Sequence, residues 1–556
     1  NIKEFKEEYK QMDKKKIIEE PQTESSNTYQ QKHAIEHNTG PCMVLAGPGS
    51  GKTYILTKRI LRLLNENIDP KNILAITFSN KAASEIKNRI DSGHQDVRTS
   101  GLATLTFHAL GLSILKKHYK LANLKENFYI IDEKEESSEN TVTFDRLISL
   151  PIKILKEHPE IADYYHNLYQ WILIDEYQDI NADQYELISL IAKTENPNLF
   201  VIGDPDQAIY GFRGSDVGFI DKFKKDYPLC KLIKLQKSYR CPKHILRLGK
   251  QVLDKNDYLD GTSEDIKTEI HECITARSEA DFIAGQIEKM IGGVRSFSFD
   301  SNISDGTAFE GITSFSDIAI LCRTSYMFPE LISALAHHGI PFQTISRDSL
   351  LKISPYKEII QYLKKIYFTP EILHTNVPKK IYDIIQDMFS KKANILEIIS
   401  TLQSAPSENK VRLKALLQDY TNNYERFFEE VTLRQNIDDL DSNAEAVSLI
   451  TLHASKGLEF NAVFITGCEK KIIPFEMFGK KNEEELKEEE RLFYVGITRT
   501  KKYLFLTHAK SRMFLGRTHE QEKSHLIDRV EKNLLNFRKR ERVKKVTNED
   551  LQLTLF

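Results

Sequence analysis

The stretch Ala46-Gly47-Pro48-Gly49-Ser50-Gly51-Lys52-Thr53 decides the fold of this 556-residue chain. It follows a short apolar run, Cys42-Met43-Val44-Leu45, and precedes a stretch with the apolar spacing of a helix. A Gly-rich loop between a buried strand and a helix turns its backbone N–H groups around phosphates, and the helix N-terminus favours their negative charge. The sequence therefore predicts a phosphate-binding loop on a parallel α/β sheet.

Two carboxylates follow another apolar run. Ile172-Leu173-Ile174 is succeeded by Asp175 and Glu176, at the edge where open α/β sheets bind ligands. Asp175 is suited to Mg²⁺ held jointly with Thr53, and Glu176 to orienting and deprotonating an attacking water. With Lys52 bridging the β- and γ-phosphates, the two motifs predict hydrolysis of a nucleotide such as ATP.

The bulk composition is that of an ordinary globular protein, with 40% hydrophobic and 28% charged residues and a net charge of -2. The near-neutral total leaves room for a local basic groove. Six scattered cysteines without metal-ligand spacing, and the lack of a membrane-spanning apolar run, indicate a reduced, cytoplasmic protein. The sequence begins at Asn1 without an initiator methionine, which leaves open that it belongs to a longer polypeptide.

Apolar runs alternate with helical stretches in two separate parts of the chain, which predicts two parallel-sheet α/β units with small, mostly helical insertions. We predict an N-terminal arm at 1–25 and a first unit at 26–235 that contains an insertion at 109–165. The second unit is predicted at 236–366 and 446–530, around an insertion at 367–445. A basic tail is predicted at 531–556.

Further motifs, in the same order along the chain, resemble those of the UvrD/Rep family of superfamily 1 helicases. The resemblance covers roughly residues 27–366 and 446–515. Its motifs are Gln31, residues 46–53, Thr77-Phe78-Ser79-Asn80-Lys81-Ala82-Ala83, Thr106-Phe107-His108, Asp175-Glu176-Tyr177-Gln178-Asp179, residues 203–214, Ser238-Tyr239-Arg240, residues 451–460 and Val495-Gly496-Ile497-Thr498-Arg499. The resemblance implies two RecA-like domains in tandem and an ATP-dependent, 3′-to-5′ single-stranded DNA translocase or helicase in DNA repair or replication.

The resemblance also assigns roles around the nucleotide. It implies that Gln31 reads the adenine, that Tyr239 stacks on the base and that Glu459 bonds the ribose. Tyr54 stands where many family members have an arginine that packs on the adenine. Gln207 would sense the γ-phosphate or align water. Two arginine fingers, Arg240 and Arg499, would act only when the two units close on ATP.

The same motifs supply candidates for contact with single-stranded DNA and with a 3′-tailed duplex. Stacking on an aromatic ring contributes about 1–3 kcal/mol per base and tolerates any sequence. Taken singly, each aromatic residue is more simply explained as part of the core. Its position in the series of motifs is what makes it a candidate for DNA contact. The stacking candidates are Phe78, Phe107, Tyr210 and Phe212, and the polar ones are Asn80, His108, Arg213, Thr451 and His453.

The insertions are short for this family, with 66 residues between His108 and Asp175 and about 80 between Ile366 and Ala446. In the family such insertions contact duplex DNA and regulate unwinding. We therefore expect the chain to translocate along DNA. That it also separates strands on its own is a weaker inference.

The chain ends in Gln552-Leu553-Thr554-Leu555-Phe556, which resembles the peptide that docks bacterial repair proteins on the sliding clamp. The predicted clamp-binding residues are Gln552, Leu553, Leu555 and Phe556. Packing of this peptide against the core is the alternative. Two other functions stay open: the motor part of a larger nuclease–helicase, and an ATP-gated, clamp-tethered DNA-binding adaptor that unwinds little.

Overall fold

The structure is a computed structural model that describes residues 26–93, 99–131, 140–192, 196–262, 266–292, 309–344, 351, 354–368, 378–402, 417, 423–433, 440–441, 444–477, 479, 481–514 and 516–539. The predicted arm at 1–25 and the peptide from Gln552 to Phe556 lie outside the described residues. Among the helices that are described, none has both the length and the apolar character needed to cross a membrane.

The first α/β unit is built on a six-stranded sheet. The strands up to residue 235 are β1 (Cys42–Leu45), β2 (Ile73–Thr77), β3 (Ala103–Thr106), β4 (Tyr129–Ile131), β5 (Thr141–Thr143), β6 (Trp171–Ile174), β7 (Asn198–Gly203) and β8 (Lys231–Lys234). The helices are α1 (Ser26–Glu36), α2 (Lys52–Asn65), α3 (Asn80–Gly93), α4 (Phe107–His118), α5 (Arg146–Glu157), α6 (Pro159–Leu168), α7 (Ala182–Ile191) and α8 (Gly218–Asp226). The sheet order is β3-β2-β6-β7-β1-β8, and every pair is parallel.

The strand order brings the predicted site segments together. Every residue of β2 and β6 is buried, as expected for strands covered on both faces of a sheet. Because β6, β7 and β1 are neighbours, their carboxyl ends adjoin at one edge. The phosphate loop, the paired acids and the segment after β7 therefore emerge side by side.

The second unit contains a larger sheet. Its strands are β9 (Lys237–Pro242), β10 (Asp260–Thr262), β11 (Thr268–Thr275), β12 (Ile318–Cys322), β13 (Phe342–Thr344), β14 (Val447–Thr451), β15 (Phe460–Ile465), β16 (Thr500–Phe514), β17 (Arg517–Glu520) and β18 (Leu535–Lys539). Its helices are α9 (Lys243–Val252), α10 (Ala276–Met290), α11 (Phe328–His337), α12 (Tyr356–Phe368), α13 (Lys379–Ser390), α14 (Ile395–Leu402), α15 (Tyr424–Leu433), α16 (Glu483–Ile497) and α17 (His525–Asp528).

Strands of the second sheet run in the order β13-β14-β12-β15-β16-β11-β18, parallel throughout, with β17 antiparallel to β16. A separate parallel ribbon joins β9 and β10. The predicted α/β fold class, two RecA-like parallel-sheet domains in tandem, is confirmed.

The C-terminal edge of this sheet differs from the sequence prediction. The predicted tail at 531–556 includes β18, which pairs in parallel with β11. Leu535 is buried, and Arg538 forms an ion pair of 2.8 Å with Glu269. An edge strand needs only one apolar anchor facing the sheet, so its polar sequence resembles that of a tail.

The second insertion has its own core. Apolar side chains of α12 pack with those of α13, α14 and α15, including Leu363, Ile385, Ile398 and Phe427. These residues form a cluster separate from the one that covers the second sheet. Packing thus places α12 in the insertion, upstream of the boundary predicted at residue 367.

The two insertions contact each other. The ring of Tyr129 stacks on Phe368 with centroids 5.1 Å apart, and Lys364 donates to the carbonyl of Ile130 at 3.3 Å. Lys116 forms a 3.0 Å ion pair with Glu425. Although each insertion belongs to a different unit in the chain, the pair forms a bridge between the units.

A buried ion cluster stabilises the second sheet. Arg512, 7% exposed on β16, contacts Glu469 with its Nη2 at 2.7 Å and its Nε at 3.0 Å, and also pairs with Glu279. The Glu279 carboxylate also accepts the hydroxyl of Thr507 at 2.6 Å. Two carboxylates buried around one guanidinium depend on it for their charge balance.

We expect Arg512→Met to lower the free energy of unfolding by about 3–5 kcal/mol, because both carboxylates lose their buried cation. Lys510→Met is the matched control, since Lys510 pairs with Glu272 at the surface and should change stability by less than about 0.5 kcal/mol. Urea denaturation followed by circular dichroism measures both. Equal midpoints for the two variants would contradict the prediction.

Candidate active site

The phosphate loop lies directly against the second unit. The loop joins β1 to α2, and no side chain caps the N-terminus of that helix. Gly49 has φ +68°, and a Cβ added there would lie 2.6 Å from both the Cβ of Arg240 and the Oγ of Ser238. Tyr239 donates its backbone N–H to the Gly49 carbonyl at 2.8 Å. Glycine is therefore required both by the loop conformation and by the close approach of β9.

The paired acids after β6 occupy different electrostatic environments. Burial, and then the adjacent Glu176, raise the pKa of Asp175 to about 7. Burial alone would also raise the pKa of Glu176, but Lys52, Lys456 and the amide of Gln178 together lower it to about 2. Lys52 Nζ lies 3.5 Å from Glu176 Oε1. Glu176 also has φ +49°, a strained conformation for a non-glycine residue that recurs at functional sites.

A line of hydrogen bonds leads from these acids into the second unit. Gln178 donates to Glu176 at 2.6 Å and accepts the backbone N–H of Asp204 at 2.9 Å. The Asp204 carboxylate then accepts the amide of Gln207 at 2.7 Å. Gln207 accepts a hydrogen bond of 3.2 Å from Arg499. The predicted γ-phosphate sensor and one arginine finger thus belong to one continuous network.

The two arginines approach from the second unit. Arg240, on β9, donates to Glu459 at 3.1 Å and to the carbonyl of Thr498 at 3.0 Å. Arg499 is 2% exposed and donates to the carbonyl of Val495 at 2.8 Å. Burial, followed by the charge of Arg240, lowers the pKa of Arg499 to about 10, so it remains a cation at neutral pH.

The predicted adenine-binding residues converge on one side of the phosphate loop. Gln31 donates its amide to the carbonyl of Ser50 at 2.8 Å. Tyr54 and Tyr239 are both 47% exposed, and burial together with the nearby Tyr54 raises the pKa of Tyr239. Glu459, the residue predicted to bond the ribose, forms ion pairs with Arg240 at 3.1 Å and with Lys501 at 2.8 Å.

Aromatic side chains line a surface beyond Gln207. Phe78 and Tyr210 stack with centroids 5.0 Å apart and an interplanar angle of 14°. Phe212 is 65% exposed and meets His453 edge-on at 5.6 Å. The Arg213 guanidinium lies 5.5 Å from the rings of both Tyr210 and Phe212. Five of the predicted contact residues thus lie together: Phe78, Tyr210, Phe212 and His453 form one row, and Arg213 lies beside it.

Other predicted contacts are placed differently. Phe107 is 4% exposed in the core of the first unit, which leaves its ring unavailable for stacking in this conformation. His108 stacks on Phe144 at 3.8 Å. Asn80 donates its amide to the carbonyl of Leu433, at the end of the second insertion, at 3.0 Å. Thr451 accepts the backbone N–H of Ala454 at 3.3 Å.

Several polar residues at the cleft were absent from the predicted site although they lie within its motifs. Gln178 and Asp204 complete the network described above. Lys456 donates to the carbonyl of Gln207 at 2.6 Å and pairs with the buried Asp179. Position within a motif was a usable signal for all of them. The contacts that join different motifs, such as those of Lys456 with Asp179 and Gln207, were not visible in the sequence.

From the second unit, Arg240 approaches the phosphate loop at Gly49 and Arg499 contacts Gln207. This arrangement is that of the P-loop motors, a class of proteins in which two domains share one nucleotide. Comparison with known proteins narrows the class. A model of the UvrD/REP helicase N-terminal domain matches residues 27–141 and 133–228, and a model of the UvrD-like helicase C-terminal domain matches 233–373 and 372–511.

Individual relatives agree with these matches. The chain is similar to the ATP-dependent DNA helicase PcrA of Bacillus subtilis, with 29% identity over 91% of this chain and 86% of the relative. It is 27% identical to PcrA of Staphylococcus aureus over the same shares of both chains. That alignment spans 650 positions, more than the 556 residues here, so the relative carries segments that this chain lacks.

The chain belongs to the UvrD/Rep family of helicases, and it is an enzyme of that ATP-using class.

The environment of His453 predicts a pH-dependent contribution to stability. Burial, and then the nearby Arg323, lower the pKa of His453 to about 4. A histidine whose folded-state pKa lies below its unfolded value of about 6.5 contributes stability above pH 6.5, and that contribution is lost as the pH falls towards 4. We expect His453→Gln to lose less stability than the wild type between pH 7 and pH 5. The difference in the free energy of unfolding should be less than about 1.4 kcal/mol per pH unit and should appear as a smaller fall in melting temperature. The exposed His525→Gln is the control and should follow the wild type; identical slopes for all three proteins would refute this account.

Proposed function

We propose that this helicase is a DNA-dependent ATPase that moves 3′-to-5′ along single-stranded DNA and acts in DNA repair or replication. The observation that carries the proposal is the segment 204–214. Its first part, with Asp204 and Gln207, belongs to the network of the nucleotide site, and its second part, with Tyr210 and Phe212, presents the aromatic row. One short loop thus contributes residues both to the nucleotide site and to the proposed DNA-contact surface.

In the proposed hydrolysis, Lys52 binds the β- and γ-phosphates and Glu176, ionised by its cationic surroundings, orients and deprotonates the attacking water. Arg240 and Arg499 stabilise the charge that develops on the phosphoryl group, and Gln207 responds to the γ-phosphate. Their positions across the cleft support coupling of its closure to ATP binding.

Residues on the phosphate loop and β6 suit a magnesium ion. Asp175 is a buried carboxylate beside the loop, and Thr53 lies in the first turn of α2. Oxygen donors of this kind, completed by phosphate oxygens, are those that Mg²⁺ uses in nucleotide sites. When bound, the ion supplies charge neutralisation on the phosphates. Thr53 and Asp175 would hold it.

The nucleoside would lie on the exposed side of the phosphate loop. Tyr54 and Tyr239 are both half-exposed, and their rings would stack on the base. Gln31 is held beside Ser50, from where it would read the adenine edge. Glu459 would bond the ribose only after its ion pair with Arg240 loosens. Nucleotide binding would therefore release Arg240 from this contact.

Single-stranded DNA would follow the aromatic row. Phe78, Tyr210 and Phe212 provide stacking surfaces, and Arg213 and His453 flank them. Further polar contacts would come from His108, Thr451 and Asn80, the last once its bond to the insertion opens. Phe107 supports this surface from within the core.

A second candidate activity, translocation with little unwinding, is favoured by the bridge between the insertions. Both insertions are short, and the contacts between Tyr129 and Phe368 and between Lys116 and Glu425 join them. Surfaces engaged in this bridge are not available to duplex DNA in the same conformation. A 3′-tailed duplex would therefore be a poorer substrate than a single strand.

We expect the wild-type protein to displace streptavidin from a 5′-biotinylated oligothymidine and to leave it on a 3′-biotinylated one, in an ATP-dependent manner. Unwinding of a 3′-tailed duplex, followed by fluorescence, should be slower than this displacement. Lys52→Ala should reduce DNA-stimulated hydrolysis at least about a hundredfold, because the β- and γ-phosphates lose their cation. Lys153→Ala, at an exposed surface pair, is the control. Preferential release from the 3′ end would reverse the proposed direction, and hydrolysis retained by Lys52→Ala would overturn the assignment of the site.

We also propose that the terminal peptide binds the sliding clamp through Gln552, Leu553, Leu555 and Phe556. Leu555→Ala combined with Phe556→Ala should weaken clamp binding at least about tenfold, measured by surface plasmon resonance, because the apolar anchors are lost. Thr554→Ala is the matched control. DNA-stimulated ATP hydrolysis should be the same for all of these proteins. Clamp binding that survives the double substitution would exclude this role.

A further inference from the structure

The loop from Ala208 to Phe212 is fastened to the second unit by one helix. Arg491 of α16 donates its Nε to the carbonyl of Ala208 at 2.7 Å. Three residues earlier on the same helix, the Glu488 carboxylate lies against the backbone of Gly211, within reach of the backbone N–H of Phe212. The two side chains thus hold the loop at its beginning and at its end.

The approach of the helix is close. A Cβ added to Gly211 would overlap the Glu488 carboxylate, so this carboxylate lies directly against the backbone of the loop. Residues three apart share one face of a helix, which explains why Glu488 and Arg491 reach the same loop. Between them, Glu489 contacts Arg323 instead, with bonds of 2.5 and 2.8 Å.

The same helix leads to the nucleotide. Its last residue is Ile497, and Arg499 follows Thr498 directly. At the helical rise of 1.5 Å per residue, Glu488 lies about 14 Å along the axis from Ile497, the last residue of the helix. At the far end, Arg499 contacts Gln207 at 3.2 Å. One rigid element therefore contacts the loop at Gln207, Ala208 and Phe212.

We propose that Glu488 and Arg491 are positioning residues that couple DNA on the aromatic row to the nucleotide site. They fix the backbone of residues 208–212 so that a base stacking on the exposed Phe212 ring shifts α16 and the loop together, and with them Gln207 and Arg499. The inference rests on the proposed function. It adds to that function the element that transmits the signal, through backbone contacts and without direct contact to ATP or DNA.

Charge favours this arrangement. A hydrogen bond from a backbone N–H to an ionised carboxylate is stronger than one between neutral groups, and the guanidinium of Arg491 balances the Glu488 charge on the same helix face. Glutamine retains an oxygen that accepts the Phe212 N–H at the same reach. Alanine retains none. The comparison of Glu488→Gln with Glu488→Ala therefore isolates the hydrogen bond.

The test uses the full chain and measures ATP hydrolysis over a titration with oligothymidine. For Glu488→Ala and for Arg491→Ala, we expect kcat at saturating oligothymidine to fall about tenfold, as for loss of a charge-assisted hydrogen bond, while KM for ATP changes less than about twofold. Glu488→Gln should restore most of the rate. Glu490→Ala is the matched control, because Glu490 lies on the same helix but pairs with Arg529 at 2.8 Å, away from the loop. Melting temperatures establish that each variant is folded.

A second measurement separates binding from coupling. Phe212→Trp introduces a fluorescent ring into the aromatic row. The quenching of this fluorescence reports the concentration of oligothymidine that half-saturates the row. We expect Glu488→Ala in this background to change that concentration less than about threefold while the stimulated kcat falls as before.

Each outcome bears on one proposal. Full stimulation of Glu488→Ala would overturn the positioning role and leave the proposed function intact. Equal losses in Glu488→Ala and Glu490→Ala would also overturn it, since the effect would then be one of helix stability. A wild-type protein whose hydrolysis does not respond to oligothymidine would instead refute the proposed function.

Discussion

The guanidinium of Arg499 is 2% exposed between the two sheets, and a charge buried to that extent requires a full set of hydrogen bonds. Acceptors come from Val495 and Leu458 in its own unit and from Gln207 in the other. The position of Gln207 is fixed in turn by Asp204. Satisfying one buried cation therefore orders the segment after β7, and with it both the nucleotide site and the start of the aromatic row.

Two contacts between the units are made at glycines. At one point β9 meets the phosphate loop at Gly49, and at another α16 meets Gly211. At Gly49 the approach leaves no room for a Cβ, which fixes the place where β9 meets the phosphate loop. Interfaces of this kind switch between discrete arrangements, which suits a cycle driven by binding and release of a nucleotide.

The insertions add a second connection between the units. Their mutual contacts, through Tyr129 with Phe368 and Lys116 with Glu425, lie away from the cleft. Any opening of the cleft must therefore be accommodated either within the bridge or by bending where the insertions join the sheets. Asn80, bonded to the carbonyl of Leu433, places the end of this bridge beside the aromatic row. The conformation of the bridge and access to the row are thus connected.

The sequence by itself determined the two-sheet fold, because strands covered on both faces must be continuous apolar runs, as β2 and β6 are. It also predicted a nucleotide site, since Lys52 lies in a local strand–loop–helix pattern and the paired acids directly follow an apolar strand. Features that depend on contact with a residue far away in the sequence were decided only by the tertiary structure. It buried Phe107, made β18 a strand through its pairing with β11, and set the Glu488 carboxylate against the backbone of Gly211, a contact that no side-chain pattern encodes.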